Sequence, residues 1–334
     1  MKAVVFRKYG APGVLRMENV EKPLPRDDEI LVRVHATTVS AADWRFRKAA
    51  PFFVVRPMIG LLRPKKNNTL GLEFAGTVEK RGANVTQFRE RDRVFGSMGF
   101  RMGAYAEYVC VGENRLLAVQ PRNATDEEAA AIPFGGISAL HFLRRAKIAA
   151  GQNVLVYGAS GSVGTYAVQL AKHFGAHVSA VCSTENLELV KSLGADEVID
   201  YTRQDFSKAG PVYDIVFDAV GKSGLRRSMR VLKRGGVLVG VGLSSILGGL
   251  WARMKGYRTV SGGMARSQPG DLHFLKSLVE AGKIRPVIDR RYPFTDIADA
   301  HRYVEAGHKK GNVVIVIAKR PPAANPTPGA RLEV

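Results

Sequence analysis

Three glycines spaced G-x-x-G-x-x-G, at Gly158, Gly161 and Gly164, mark the stretch of this chain best suited to chemistry. They lie in Val154-Leu-Val-Tyr-Gly158-Ala-Ser-Gly161-Ser-Val-Gly164-Thr-Tyr-Ala-Val-Gln-Leu-Ala-Lys172. The residues before Gly158 read as a buried strand, and those after the turn as a helix. A strand that turns straight into a helix aims free N–H groups and the positive end of the helix dipole at one spot, which suits a phosphate. The first glycine allows the tight turn, the second lets backbone approach a pyrophosphate, and the third lets helix pack on strand. The stretch Gly158, Ala159, Ser160, Gly161, Ser162, Val163 and Gly164 therefore reads as a dinucleotide site. The alternative is a glycine turn between two packed elements.

In NAD-binding units an acidic residue about 20 positions past the turn usually binds the ribose hydroxyls. Here the end of the next strand reads Cys182-Ser183-Thr184, without an acid. Small hydroxyl residues leave room for a phosphate and can donate to it. NADPH is the expected cofactor, with NADH still admitted because Glu185 is one step further on.

The elements that must position this site follow from periodicity. Residues 1–5 and 29–35 read as strands, and Leu70–Glu79, Arg93–Gly96 and Ala104–Val111 continue a β-rich first part. Thr125-Asp-Glu-Glu128 reads as a helix N-cap, and a second helix from Gly136 to Ala146 precedes the glycine turn. Beyond the turn, strands and helices alternate at 178–181, 186–193, 197–199, 214–218, 224–232 and 237–241, the rhythm of a doubly wound parallel sheet. A last strand is expected at Arg258–Met264 and a helix at Leu272–Ala281. Residues 287–294, 296–306 and 313–317 then return to the first part. The fold class is α/β, a Rossmann domain (123–283) beside a β-rich domain (1–122, completed by 284–318). The Pro-rich stretch 319–334 reads as a flexible tail.

A chain of 334 residues can bury two cores. Its two cysteines, Cys110 and Cys182, are too few for a disulfide framework or a Cys-rich zinc site and fit a reducing cytoplasm. The start of the chain lacks the features of a signal peptide, and the most apolar run, Val237–Trp251, is too short and too broken by glycine and serine to span a bilayer. The excess of 50 Lys and Arg over 30 Asp and Glu, formally +20, would attract anionic cofactors, nucleic acid or an acidic membrane surface. It falls in clusters at 45–66, 226–234, 253–258, 290–291 and 309–310 with no nucleic-acid motif, so solvated basic faces are the favoured reading. Lone His35 and His141 sit among apolar residues and read as core.

Several further motifs carry a family resemblance. They are Val39-Ser-Ala-Ala-Asp43-Trp, Gly71-Leu-Glu-Phe-Ala-Gly76, Asp92-Arg-Val94, Gly103-Ala-Tyr-Ala-Glu-Tyr-Val109, Ala129-Ala-Ala-Ile-Pro133, Ser192-Leu-Gly-Ala-Asp196 and Ala281-Gly-Lys-Ile. With the glycine turn, they make the chain resemble the zinc-independent quinone oxidoreductase (zeta-crystallin-like) branch of the medium-chain dehydrogenases/reductases, from Met1 to about Ile317. The resemblance implies that the β-rich domain is GroES-like and that the protein is a homodimer pairing through Arg258–Met264. Zinc-dependent relatives place three ligands where this chain has Ser40, Leu72 and Phe134. Catalytic zinc needs three N, S or O side chains, so no metal is expected.

The resemblance implies hydride transfer from NADPH to a quinone or to the C=C bond of an α,β-unsaturated carbonyl compound. Alternatives are another carbonyl substrate, or a nucleotide-sensing nucleic-acid-binding protein with little turnover. Along the first motif, the candidates for catalysis are Ser40, Asp43, Trp44 and Arg45. Arg45 is suited to donate to an oxygen that gains charge, or belongs to a solvated basic run. Asp43 is either catalytic or a structural cap. Ser183, Asn186 and Tyr201 are expected around the adenosine phosphate, although relatives place Lys where Asn186 stands. Gly242, Leu243, Gly263 and Met264 are expected near the nicotinamide. Asn312, where relatives often have Lys, and Ser138, which matches a Thr or Ser of the family at the start of the active-site helix, are further candidates for cofactor binding. The segment 57–68, apolar and then basic, reads as surface packing, a lid or a membrane or quinone contact.

Overall fold

The computed structural model describes residues 1–64, 69–210, 212–241, 252, 255–261 and 268–318. Strands β1 (Lys2–Phe6) and β2 (Leu15–Asn19) form an antiparallel pair at the start. The long β3 (Glu29–Val39) is buried at every position but Arg33, because it is covered on both faces. It pairs with β4 (Glu73–Arg81), and β4 with β5 (Arg93–Ser97). Strand β6 (Tyr108–Gly112) also pairs with β3, and β7 (Leu117–Val119) with β5.

Between β3 and β4, where periodicity gave no element, the chain is not a plain connection. Helices α1 (Ala41–Lys48) and α2 (Phe52–Ile59) lie there instead. The signal for α1 is local: Ser40 and Asp43 form a reciprocal capping box, satisfying N–H groups at the helix start. Thr125 and Glu128 form the same device ahead of α3 (Asp126–Ala130), where the sequence reading expected a cap. Helix α4 (Pro133–Ala146) begins at Pro133 rather than Gly136, since proline fits a first helical position that needs no N–H.

The second sheet is the doubly wound parallel sheet expected from the alternation. It comprises β8 (Asn153–Tyr157), β9 (His177–Cys182), β10 (Glu197–Asp200), β11 (Tyr213–Asp218), β12 (Leu232–Gly240) and β13 (Arg258–Ser261). Their spatial order is β10-β9-β8-β11-β12-β13, every adjacent pair parallel. Strand order reverses between β8 and β11, so a crevice opens at the carboxyl ends of these two strands. Helices α5 (Ser162–His173), α6 (Leu187–Ser192), α7 (Leu225–Val231) and α8 (Pro269–Glu280) accompany this sheet.

The chain then returns. Strand β14 (Ile288–Pro293) leads through α9 (Ile297–Ala306) to β15 (Asn312–Val316), which pairs antiparallel with β3. One apolar core runs from Phe95 and Val314 of the first sheet, through Ile132 and Leu140, to Val156 and Phe217 of the second. That continuity holds the two sheets in fixed relation across the crevice. No described helix is long and apolar enough to cross a membrane.

Candidate active site

The glycine turn follows β8 at the reversal point, and its three glycines meet different surroundings. Gly158 has φ +77°, and a Cβ there would lie 2.8 Å from the Val220 side chain. A Cβ on Gly164 would lie 2.1 Å from the Gly158 carbonyl oxygen, so helix and turn approach closely only because it is glycine. Gly161 has an ordinary φ of −78°, and its Cβ would meet nothing nearer than the Gly158 oxygen at 3.6 Å. Intramolecular packing therefore leaves Gly161, at the start of α5, free to be larger. The Gly158 and Ala159 amides donate to the Val181 carbonyl at 3.1 Å, tying the turn to β9.

Ser183, Asn186 and Tyr201 gather at the carboxyl ends of β9 and β10. The Asn186 side-chain nitrogen donates to the Ser183 hydroxyl at 2.8 Å, while its carbonyl oxygen is buried without a partner. The Tyr201 amide donates to the Cys182 carbonyl at 3.1 Å, and its exposed ring lies 6.4 Å from that of Tyr157. Lys310, of the basic pair 309–310, reaches this end: its ammonium is 3.5 Å from the Glu185 carbonyl. Its proximity to Asn312 in sequence was the available signal.

The loop before β15 clasps the glycine turn. The Gly311 amide donates to the Ser160 carbonyl at 2.7 Å, and Gly311 has φ +58° with no room for a Cβ beside the Val287 carbonyl. The Ser162 hydroxyl donates to the Asn312 side-chain oxygen at 2.5 Å, and the Asn312 nitrogen donates to the Val287 carbonyl at 3.1 Å. Both ends of the Asn312 amide are thus engaged within the protein. Ser138 is turned to its own helix, donating to the Phe134 carbonyl at 2.7 Å. A Cβ on Gly135 would lie 2.8 Å from the Ser162 hydroxyl, so α4 and α5 start side by side.

At the start of α1 the four catalytic candidates divide into a buried pair, Ser40 and Asp43, and the less buried Trp44 and Arg45. Asp43 is fully buried: it accepts from the Ser40 amide at 2.8 Å, the Ser40 hydroxyl at 2.6 Å and the Gly71 amide at 3.1 Å. Burial pushes its carboxyl up to about 6 against these hydrogen bonds. Ser40 is buried with it as the cap of α1. Trp44 is half-buried against the core of α1 and α2, and Arg45 is exposed with its guanidinium 5.1 Å from the Trp44 ring.

Glu73, quoted in the sequence only as part of a motif, is a further buried carboxyl. It receives hydrogen bonds from the Thr38 hydroxyl and, at 2.6 Å, from the Phe134 amide at the start of α4. Burial pushes it up to about 8, with the nearby Asp43 adding to the rise and Lys309 opposing it. Lys309 is itself pulled down to about 8 by burial, and donates to the Gly311 carbonyl. Composition offers no signal for either; the fold alone brings them together. Gly242, Leu243, Gly263, Met264, the 319–334 tail and residues 65–68 lie outside the described residues.

Known families and proteins resemble this chain over most of its length. The alcohol dehydrogenase GroES-like domain matches residues 26–121, and a domain described as zinc-binding dehydrogenase matches residues 193–315. The NADPH-dependent alkenal/one oxidoreductase of Arabidopsis thaliana is 35% identical over 327 residues, covering 94% of this chain and 79% of the relative. The chain belongs to the medium-chain dehydrogenase/reductase family. A 2-methylene-furan-3-one reductase of Solanum lycopersicum is likewise 35% identical over the same shares of the two chains. The quinone oxidoreductase structure from Coxiella burnetii superposes with TM-score 0.87 at 31% identity, covering 95% of this chain and 99% of that one. As a medium-chain dehydrogenase/reductase this chain has a GroES-like first domain beside its Rossmann sheet, and it uses a nicotinamide cofactor. The positions expected to hold zinc in relatives are here a capping Ser40, a buried Leu72 and Phe134. Among the described residues no three His, Cys, Asp or Glu side chains are grouped to hold a metal.

Proposed function

We propose that this protein is an NADPH-dependent, zinc-independent oxidoreductase that reduces a quinone or the C=C bond of an α,β-unsaturated carbonyl compound. The observation that carries it is Gly161: a glycine that the protein's own packing does not require, at the strand–turn–helix of a reversal-point crevice. The choice of acceptor rests on the printed activities of the relatives, alkenal/one, furanone and quinone reduction. NADPH over NADH is supported by Ser183, Asn186 and Lys310 around the end of β9, where a ribose-binding acid is lacking. Zinc independence is supported by the donor chemistry of Ser40, Leu72 and Phe134.

Bound NADPH supplies a hydride. The chain's part is to fix two molecules in reacting geometry, exclude water and direct a donor at the oxygen that gains charge. The start of α5 and the Ser160–Gly311 clasp hold the pyrophosphate end. Arg45 serves as the donor, with Trp44 as an apolar wall beneath its guanidinium. Ser40 and Asp43 are positioning residues: their capping box sets where α1 begins, and so where Arg45 points.

The domains run 1–122 with 284–318, and 123–283. A homodimer joined along β13 is supported by the place of that strand at one end of its sheet. The free Cys110 and Cys182 support a reducing cytoplasm. Purified protein mixed with NADPH or NADH, and separately with a quinone and a small enone, tests the reading. Oxidation of NADPH with either acceptor supports it. Binding of both nucleotides without reduction of any acceptor overturns it in favour of nucleotide sensing.

A further inference from the structure

The surface around α2 is unlike the rest of the molecule. Phe52 is 66% exposed, Phe53 67%, Met58 43%, Leu61 69% and Leu62 92%. They are five of the twelve large apolar side chains that are exposed among the described residues, gathered within eleven positions. The opposite side of α2 is anchored: Val55 and Ile59 are buried in the core shared with α1. The Tyr9 hydroxyl donates to the Gly60 carbonyl at 2.6 Å, where the helix ends. A short helix that is apolar on both sides needs an apolar environment on its outer side too.

Charge says which environment. Between Asp43 and Glu73 the sequence has no acidic residue and seven Lys or Arg. Of these, Arg47 is consumed internally, paired with Glu305, and Lys48 shares that carboxylate at 2.8 Å. Arg63 is exposed next to Leu62 and the half-buried Arg56 of α2 lies over the Tyr9 ring, and neither has an anionic partner among the described residues. In a two-fold contact between copies the same patch would face itself, setting these cations against like cations. Anionic headgroups over an apolar interior match both features: apolar side chains enter the acyl boundary while arginines remain at headgroup level.

We propose that α2 and the turn through Arg63 form a docking face for the surface of an anionic lipid bilayer. The face stands whether or not the acceptor is a quinone. Should the enzyme reduce lipophilic quinones, it would also bring the crevice to where they dissolve.

The test is sedimentation of the full chain with phosphatidylcholine vesicles and with vesicles containing phosphatidylglycerol. A Leu61→Ser/Leu62→Ser variant and Arg63→Glu are measured alongside, with unchanged thermal unfolding as the control for folding. Binding to the anionic vesicles is expected to exceed that to neutral ones and to weaken about tenfold or more in the Leu61→Ser/Leu62→Ser variant. Arg63→Glu should weaken the anionic arm alone. The proposal is overturned if wild-type protein stays in solution with both vesicles. It is equally overturned if both variants bind as wild type does, which would assign the attraction to basic clusters elsewhere. Loss of an assembled state in the Leu61→Ser/Leu62→Ser variant by ultracentrifugation, without vesicle binding by wild type, would make the face a contact between copies.

Discussion

The Ser162 hydroxyl donates to the side-chain oxygen of Asn312 at 2.5 Å, joining the first residue of α5 to the first residue of β15. The pair spans the crevice between a Rossmann turn and the strand that returns to the first sheet. Beside it, Gly311 donates to Ser160 at 2.7 Å. The glycine turn is therefore held from both sheets at once.

Removing one member should expose that coupling. Asn312→Ala removes the acceptor of the Ser162 hydroxyl, costing about 1 kcal/mol, while the Val287 carbonyl keeps its bond from the residue 312 amide. Ser162→Ala should cost less. The double variant should fall short of the sum by about 0.5 kcal/mol or more, read from urea unfolding. Strict additivity would show that the clasp carries no energy.

Gly161 and Gly164 should respond in opposite ways. Gly161→Val meets no protein atom at its Cβ closer than 3.6 Å, so the variant should fold with a near-normal unfolding temperature and lose NADPH affinity in titration. Gly164→Ala sets its methyl 2.1 Å from a backbone oxygen and should unfold earlier or express poorly. Retained NADPH affinity in a folded Gly161→Val protein would remove the pyrophosphate from this turn.

The Rossmann sheet was legible because each βα unit repeats one local pattern, and the glycine turn carries its own stereochemistry. The strands of that sheet fall where the alternation placed them, except that β12 begins at Leu232 rather than Val237. Helices α1 and α2 were not legible. Their apolar residues follow no clean helical period, since α2 exposes Phe52 and Phe53 while burying Val55 and Ile59. Asp43 lay in the sequence beside Arg45, and nothing there told a cap from a catalyst. Its burial and its bond from the Gly71 amide, 28 positions away, come only with the fold. Glu73 and Lys309 likewise lie far apart in sequence, and only β3 brings their elements together through its pairings with β4 and β15.

Lys310 should set part of the nucleotide preference. Its ammonium sits by the Glu185 carbonyl, at the end where the second phosphate of NADPH would lie. Lys310→Ala should weaken NADPH binding about tenfold, roughly 1.4 kcal/mol, and leave NADH nearly unchanged. An equal loss for both nucleotides would assign Lys310 to the shape of the loop.

Asp43 and Arg45 should separate stability from turnover. Asp43→Ala leaves the buried Gly71 amide without its acceptor and should cost about 1–3 kcal/mol, lowering the unfolding temperature by several degrees. Arg45→Ala touches an exposed side chain and should change stability by less than about 0.5 kcal/mol. It should nonetheless reduce kcat without weakening NADPH. Loss of both together would make Arg45 a cofactor-positioning residue.

Glu73 should leave its mark on the pH dependence of stability. Its folded carboxyl, pushed up to about 8 by burial, lies above the ordinary 4.5, so the folded chain keeps a proton that the unfolded chain releases. This contribution is complete below about 4.5 and is lost as pH rises through about 8. Asp43, raised to about 6, acts in the same sense over a narrower span. Lys309 acts oppositely at higher pH: held down to about 8 against an ordinary 10.5, it makes the folded chain shed its proton first, so stability recovers as pH rises across that interval. Glu73→Gln keeps the size of the side chain and a hydrogen-bonding oxygen for the Phe134 amide, but cannot titrate. Melting curves from pH 5 to 8 should therefore decline less steeply for Glu73→Gln than for wild type, with Asp43's share remaining. Identical slopes in the two proteins would mean that Glu73 is ionised in the folded chain and that Lys309 neutralises it.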